Sequence, residues 1–312
     1  VVNDTPLVVL LGPTAAGKTE LALRLAQVFN GEIVGADSRQ IYRGLDIGSA
    51  KPTPEQQARA RHHLIDVVAP DETLSLAGYL TLANAAIVDI AARGRLPLLV
   101  GGTGQYLTAL TEGWQAPQVA PDPGLRAELE EYAREHGKQA LYARLLAADP
   151  AAEAFVDGNN VRRVVRALEV TLITGQPFSA QRQRVAPPYT VLQIGLTMAR
   201  EALYARADAR LDQMMAAGFL DEVRGLLAQG FDRRLPSLSA LGYRQLAAHV
   251  LDGVALDAAL EQTRYATHDF IRRQITWFRG HDSGILWLEA EHAGPALLEA
   301  TGRWLEPQDR RR

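Results

Sequence analysis

The sequence predicts an α/β protein, a parallel β-sheet flanked by helices, into which an all-helical domain is inserted. Three observations carry this. Residues 1–100 alternate short apolar runs with stretches of helical periodicity, the pattern of successive βα units. A glycine-rich turn, GPTAAGKT (Gly12 to Thr19), sits between the first apolar run and the first helical pattern. Further on, the proline-dense APQVAPDP (Ala116 to Pro123) opens a stretch with helical pattern throughout, after which a strand pattern returns.

The elements follow in order. Leu7 to Leu11 (LVVLL) is an apolar run of the buried parallel kind and stops at Gly12. Thr19 to Phe29 places Leu21, Leu25 and Val28 at helical spacing. Glu32 to Ala36 (EIVGA) reads as a second strand ending in Asp37 and Ser38. Thr81 to Ala92 is helical with Gly94 as its stop, and Leu96 to Val100 (LPLLV) is a third strand running into Gly101 and Gly102. Residues 118–188 are assigned to the helical insertion, and Val191 to Leu196 (VLQIGL) resumes the sheet. From Arg200 the chain is helical, with Leu203, Ala207, Leu211 and Met215 as an apolar stripe and Gly218 as its C-cap. The last dozen residues read as loose. The core domain is then discontinuous, 1–117 and 189–312, and includes the C-terminal helices.

Composition narrows the function classes. With 312 residues, 47% hydrophobic and 22% charged, the chain is an ordinary folded protein rather than a disordered or fibrous one. It has no cysteine, which removes disulfides, thiolate-ligated metal and thiol nucleophiles together. No apolar run approaches the roughly 20 residues of a membrane span, and no basic-then-apolar leader opens the sequence, so we expect a cytoplasmic protein without a membrane partner. A net charge of −3 gives no global support for a nucleic-acid partner, so that case rests on local clusters of arginine.

GPTAAGKT matches GxxxxGK[ST] in full, in its required strand–turn–helix context, and makes the core a P-loop-containing one. Glycines let backbone N–H groups turn toward a di- or triphosphate, Lys18 adds a cation, and the Thr19 hydroxyl can join a Mg²⁺ shell. The strand LPLLV, however, ends in Gly101, Gly102, Thr103 and Gly104, with no acid to help hold magnesium as in an ATPase. No guanine-specificity motif is present. The nearest strand-end acid is Asp37, which by the strand-end rule for open α/β sheets belongs at the same crevice. It can serve as a base or a metal ligand, or simply cap a helix start.

Five arginines, at positions 162, 163, 166, 182 and 184, face a single acid, Glu169, between Val161 and Arg184. A second cluster, Arg272, Arg273 and Arg279, is interleaved with Gln274, Trp277 and Phe278, offering guanidinium groups for phosphates and aromatic faces for unstacked bases. Either run alone also fits a solvated face. Arg206 and Arg210 lie four apart, and pairing with Asp208 or Asp212 is open to them. His62 and His63 are adjacent, so their side chains diverge, and no zinc site is expected.

Together these segments resemble the tRNA isopentenyltransferase (tRNA dimethylallyltransferase) family, in its bacterial form. GPTAAGKT is followed by ADSRQIYRGLDIGSAKP (Ala36 to Pro52), HHLIDVVAP (His62 to Pro70), VGGTGQYLTALTEG (Val100 to Gly113), RALEV (Arg166 to Val170), GYRQ (Gly242 to Gln245) and RRQITWFRG (Arg272 to Gly280). The resemblance runs in family order over almost the whole chain. It implies transfer of a dimethylallyl group from dimethylallyl diphosphate to N6 of the adenosine 3′ to the anticodon, in tRNAs reading U-initial codons, with release of diphosphate.

The same resemblance implies roles for residues. Gly12, Thr14, Ala15, Ala16, Gly17, Lys18 and Thr19 would hold the diphosphate, with Mg²⁺ near Thr19. Lys18 and Arg210 would stabilise the leaving group, Asp37 would take the N6 proton, and Thr103 would lie near the reacting centre. The tRNA contacts map onto Asp37, Ser38, Arg39 and Gln40, onto Arg126, onto Arg162, Arg163 and Arg166, onto Ser239, Gly242, Tyr243 and Arg244, and onto Arg272, Arg273, Gln274, Trp277 and Arg279. The helical insertion would thus contact the anticodon stem-loop, and the enzyme is expected to act as a monomer. Arg39 and Gln40 occupy variable positions, Ser49 stands where threonine is frequent, and Gln105 follows Gly104, departures expected to tune context preference only. The competing readings are a P-loop small-molecule kinase and a nucleic-acid-dependent NTPase, both of which would consume ATP or GTP.

Overall fold

The computed structural model describes residues 5–117 and 119–306. Its first strand, β1 (Thr5–Leu11), leads through the P-loop into α1 (Lys18–Val28), followed by β2 (Gly31–Ala36). Then come α2 (Pro54–Arg59), entered through a Thr53–Gln56 capping box, the short β3 (His62–His63), α3 (Leu76–Ala92), β4 (Leu96–Gly101) and α4 (Gly104–Thr111). The helices α5 (Pro123–His136), α6 (Lys138–Ala148) and α7 (Val161–Thr174) come next, and the sheet resumes at β5 (Tyr189–Thr197). The C-terminal part holds α8 (Arg200–Ala216), α9 (Phe219–Ala228), α10 (Tyr243–Asp252), the long α11 (Leu256–Gly280), β6 (Ile285–Glu289) and α12 (Ala293–Leu305).

All six strands pair in parallel, in the order β3-β2-β4-β1-β5-β6. Register decides where the site lies. Leu11 pairs with Gly101, which also pairs with Ala36, so β1, β4 and β2 end level with one another. The segments that follow them, from Gly12, Asp37 and Gly102, leave the sheet side by side at its carboxyl edge.

The sheet is buried because apolar side chains cover it. Leu21, Leu25 and Ala22 of α1 pack with Val8, Leu10, Leu98 and Ile194, joined by Leu203 and Ala207 of α8 and Ile271 of α11. A second cluster joins Ile41, Tyr42 and Leu45 of the β2–α2 connection to Phe219, Val223, Tyr243 and Leu246. The chain divides into two compact units, Val1–Thr111 with Pro188–Arg312, and Glu112–Pro187. The second has its own core, built by Leu129, Leu141, Leu145, Val164 and Leu168.

Several element boundaries differ from the sequence reading. The third helix starts at Leu76, not Thr81, because the Ser75 side chain caps it by accepting from Gly78 N at 3.1 Å. The α8 helix ends at Ala216, and Gly218, in the left-handed region at φ +99°, follows its C-cap and opens α9. Neither β3 nor β6 was expected, since a two-residue pair and an edge strand with exposed Leu286 carry weak patterns. The tail is helical through Leu305, and the rest of the segment read as loose, from residue 307, lies outside the described residues.

Candidate active site

The P-loop is shaped by its own backbone and closed by distant side chains. Ala15 and Gly17 both adopt left-handed conformations, at φ +65° and +88°, which fold the loop back before α1 begins. Lys18 crosses beneath it and donates from Nζ to the Gly12 and Pro13 carbonyls at 3.0 and 2.8 Å. Arg210 of α8 reaches the loop and donates to Thr14 Oγ1. Burial first, and then the nearby Arg210 charge, draw Lys18 down from 10.5 to about 8, with Asp37 partly opposing both. Burial likewise lowers Arg210, again against the pull of Asp37. The site is thus a pocket of positive charge held at a cost in the absence of an anion.

The pairings left open for the α8 arginines resolve plainly. Asp208 pairs with His268 at 2.9 Å and Asp212 with Arg264 at 2.7 Å, so neither acid holds Arg210. Arg206 lies beside Gly17, with a guanidinium nitrogen 3.6 Å from where a Cβ would stand.

The second half of the site comes from β2 and β4. Asp37 follows Ala36, and its Oδ1 accepts from Arg39 N at 2.8 Å, closing a local turn rather than capping a helix. Thr103 fixes that turn from the neighbouring strand end: its N–H donates to the Ala36 carbonyl at 3.1 Å and its Oγ1 accepts from Ser38 N at 3.0 Å. The approach requires glycine at 101, where a Cβ would collide with the Ala36 carbonyl. Tyr79 and Tyr106 stack at 3.7 Å, Tyr79 donates to the Gly35 carbonyl at 3.1 Å, and burial pushes Tyr106 up to about 12.

The segment after Asp37 is anchored more heavily than its sequence suggests. Arg39 donates to the Pro236 carbonyl at 2.5 Å and to Ser239 Oγ at 3.4 Å, bringing Ser239 to the Asp37–Gln40 turn. Gln40 donates to the Ser49 and Ala50 carbonyls at 3.2 and 3.0 Å. Glu222 of α9 accepts the backbone N–H groups of Asp46, Ile47 and Gly48 at 2.9, 2.7 and 3.2 Å, and the Tyr243 hydroxyl at 2.5 Å. Nothing in the sequence around Glu222 marks it. The only signal is that an acid sits one turn into a helix whose other face is apolar.

Some residues assigned to RNA contact are committed inside the protein. Tyr243 is fully buried and Gly242 buried beside it, which leaves Ser239 and Arg244 as the exposed members of that group. Gln274 is buried, with its amide engaged at both ends: Oε1 accepts from Thr14 N at 2.9 Å and Nε2 donates to the Gly102 carbonyl at 2.8 Å. Trp277, half-buried, donates to Thr108 Oγ1 at 3.1 Å and stacks on His281; Arg272, Arg273 and Arg279 are exposed, Arg272 and Arg279 turned away from Gln274 and Arg273 lining the same recess as Trp277. A helix periodicity of 3.6 separates Gln274 from Arg272 and Arg279, which alternation of type alone merges.

In the helical unit, Glu169 has no exposure and takes both Arg126, at 2.7 and 2.8 Å, and Arg166, at 2.6 Å, as well as Asp122 N at 2.8 Å. These two arginines are structural partners of one buried carboxylate, and Arg162 and Arg163 are the exposed pair at the start of α7.

Among the described residues no group of three or more His, Asp or Glu side chains is placed to hold a metal ion. The Thr19 hydroxyl, in the first turn of α1, is of the chemistry that could give one ligand to a Mg²⁺ ion carried on phosphate oxygens. No helix among the described residues is long and apolar enough to cross a membrane.

Comparison with known proteins finds relatives along almost the whole chain. The family model for IPP transferase matches residues 40–281. A tRNA dimethylallyltransferase of Roseiflexus sp. (strain RS-1) is 58% identical over 274 residues, covering 88% of this chain and 90% of its own. The crystal structure of the full-length tRNA isopentenylpyrophosphate transferase from Bacillus halodurans superposes with a TM-score of 0.71 at 37% identity, over 96% of this chain and 95% of that one. A eukaryotic dimethylallyltransferase, captured acting on tRNA, superposes with a TM-score of 0.78 at 25% identity, over 96% of this chain and 78% of its own. The chain belongs to the IPP transferase family.

Proposed function

We propose that the protein transfers a dimethylallyl group from dimethylallyl diphosphate to N6 of the adenosine 3′ to the anticodon, in tRNAs reading U-initial codons. The observation that carries the reading is the convergence of a phosphate cradle and a carboxylate at two strand ends on the same sheet edge, separated by β4, with no acid after β4 to organise water or a phosphoryl acceptor. A kinase or NTPase places an acid near the phosphates. Here the acid, Asp37, lies on the next strand end but one from the P-loop, held by Thr103 of the strand between.

In this reading the allylic C1–O bond breaks, its electron pair leaves with the diphosphate, and the N6 lone pair forms the new C–N bond. Lys18, Arg210 and the loop N–H groups stabilise the charge growing on the leaving oxygen. Mg²⁺ bound at Thr19 and the phosphate oxygens would neutralise further charge there. As the C–N bond forms, the N6 proton becomes acidic, and the Asp37 carboxylate oxygen not used in the local turn takes it. Thr103, whose Oγ1 already accepts from Ser38, retains its own hydroxyl proton to donate near the reacting centre. The target base leaves the anticodon-loop stack to reach Asp37. Exposed Arg162, Arg163, Arg244, Arg272, Arg273 and Arg279 supply cations for the RNA backbone.

The test is Asp37→Ala in a single-turnover prenyl-transfer assay, with tRNA affinity measured in parallel. The reading predicts a fall in rate of about 10²-fold or more, within the range of general base catalysis, with tRNA affinity unchanged. Full prenyl transfer by this variant would refute the role of Asp37.

A further inference from the structure

We propose that Gln274 is a positioning residue that sets the distance between the diphosphate cradle and the base-side half of the site, an inference that rests on the prenyl-transfer reading above. The two halves come from different strand ends, and Gln274 touches both. Its Oε1 accepts from Thr14 N in the P-loop, 260 positions away in sequence, and its Nε2 donates to the carbonyl of Gly102, 172 positions away. Gly102 immediately precedes Thr103, whose hydroxyl in turn holds Ser38 N beside Asp37. One amide therefore links leaving-group site and proton acceptor through a chain of three hydrogen bonds.

The chemistry of the side chain suits this task. A primary amide offers an acceptor and a donor at one tip, so it can bridge a backbone N–H and a backbone C=O at once. Gly102 makes room for it, since a Cβ there would stand 2.5 Å from Nε2. Gln274 is also well supported. It lies on the buried face of the 25-residue α11, one turn before Phe278 and flanked by Ile271, and Trp277 of the same helix fills the space left by Gly104 and bonds Thr108. A core glutamine serving only its own helix would have its amide spent on local carbonyls, whereas this one is spent entirely on the two catalytic loops.

The experiment compares wild type with Gln274→Glu, Gln274→Met and Gly102→Ala under single-turnover conditions, with enzyme in excess over unmodified tRNA. The first-order rate constant then reports the folded molecules only, and the amplitude reports how many there are. Binding of inorganic pyrophosphate is measured alongside. Gln274→Glu keeps the acceptor for Thr14 N, loses the donor to Gly102 and adds a negative charge beside the cradle, so pyrophosphate affinity and rate constant should both fall, the rate at least about tenfold, whereas the uncharged Gly102→Ala should keep pyrophosphate affinity within about threefold. Gln274→Met should lose both, and Gly102→Ala should slow the rate by pushing the amide aside from the other end. Rate constants within twofold of wild type in Gln274→Glu and Gly102→Ala, whatever their amplitudes, would overturn the proposal. Absence of transfer by wild type itself would instead overturn the reading on which it rests.

Discussion

Binding of dimethylallyl diphosphate should draw a proton onto the protein at mildly alkaline pH, and Lys18 is the group that takes it. In the free protein its ammonium is drawn down from 10.5 to about 8, chiefly by burial and then by Arg210. At about 1.4 kcal/mol per pKa unit, keeping it charged at neutral pH costs about 3 kcal/mol. A bound diphosphate outweighs both causes by placing negative charge against the amine. At pH 8 half the free molecules carry a neutral Lys18, so binding should take up about half a proton, approaching one near pH 9, and affinity should weaken toward about tenfold per pH unit above that. The ligand itself does not contribute, because the last proton of such a phosphate ionises near pH 6. The same shift has a sign for stability: the unfolded chain keeps the proton up to about 10.5 while the folded one releases it near 8, so Lys18 makes the ligand-free protein gain stability as pH rises through that window. Titration calorimetry in buffers of different ionisation enthalpy measures the uptake directly. Uptake that persists unchanged in Lys18→Met, or no uptake in wild type between pH 8 and 9, would refute this reasoning.

Three further outcomes are expected. Glu169→Gln should destabilise the helical unit by about 3–5 kcal/mol in chemical denaturation, because it strands Arg126 and Arg166 against a neutral side chain. Burial pushes the Glu169 carboxyl up, but Arg126, Arg166 and the Asp122 amide more than offset this and hold it below 4.5, so its contribution is present at neutral pH and lost as acid titrates it below that value. Charge reversal at Arg162 and Arg163 should weaken tRNA binding and flatten its salt dependence, by about 0.7–0.9 in log–log slope for each phosphate no longer neutralised, with pyrophosphate affinity intact; a parallel fall in both affinities would contradict the division of roles. Glu222→Ala leaves the amides of Asp46, Ile47 and Gly48 without their acceptor and should cost about 1–3 kcal/mol, against about 1 kcal/mol for Tyr243→Phe, both read by thermal unfolding.

Local chemistry made the core elements legible in the sequence. Continuous apolar runs marked β1, β2, β4 and β5 because strands covered on both faces need no polar alternation. The P-loop was readable because its geometry demands glycine, lysine and threonine at fixed offsets. What sequence reasoning missed depends on long-range partners. Glu222, Gln274 and Glu169 are ordinary polar residues on helices, and their importance comes from the backbone amides or arginines that the fold brings to them. The resemblance mapped Tyr243 and Gln274 onto the tRNA contacts, and both side chains are buried, because a short motif on a helix carries inward positions along with outward ones. Arg210 could be chosen over Arg206 only through the family resemblance. The structure gives the physical reason: Asp208 and Asp212 are occupied by His268 and Arg264, which leaves Arg210 free to meet Thr14.

The central claim is that the P-loop holds a leaving group and not a nucleotide to be hydrolysed. It is tested by incubating the protein with Mg²⁺, unmodified tRNA reading U-initial codons and dimethylallyl diphosphate labelled in the allyl group, while following ATP in a parallel reaction. Label should enter the adenosine 3′ to the anticodon with no ATP consumed. ATP turnover with unlabelled RNA would contradict the account.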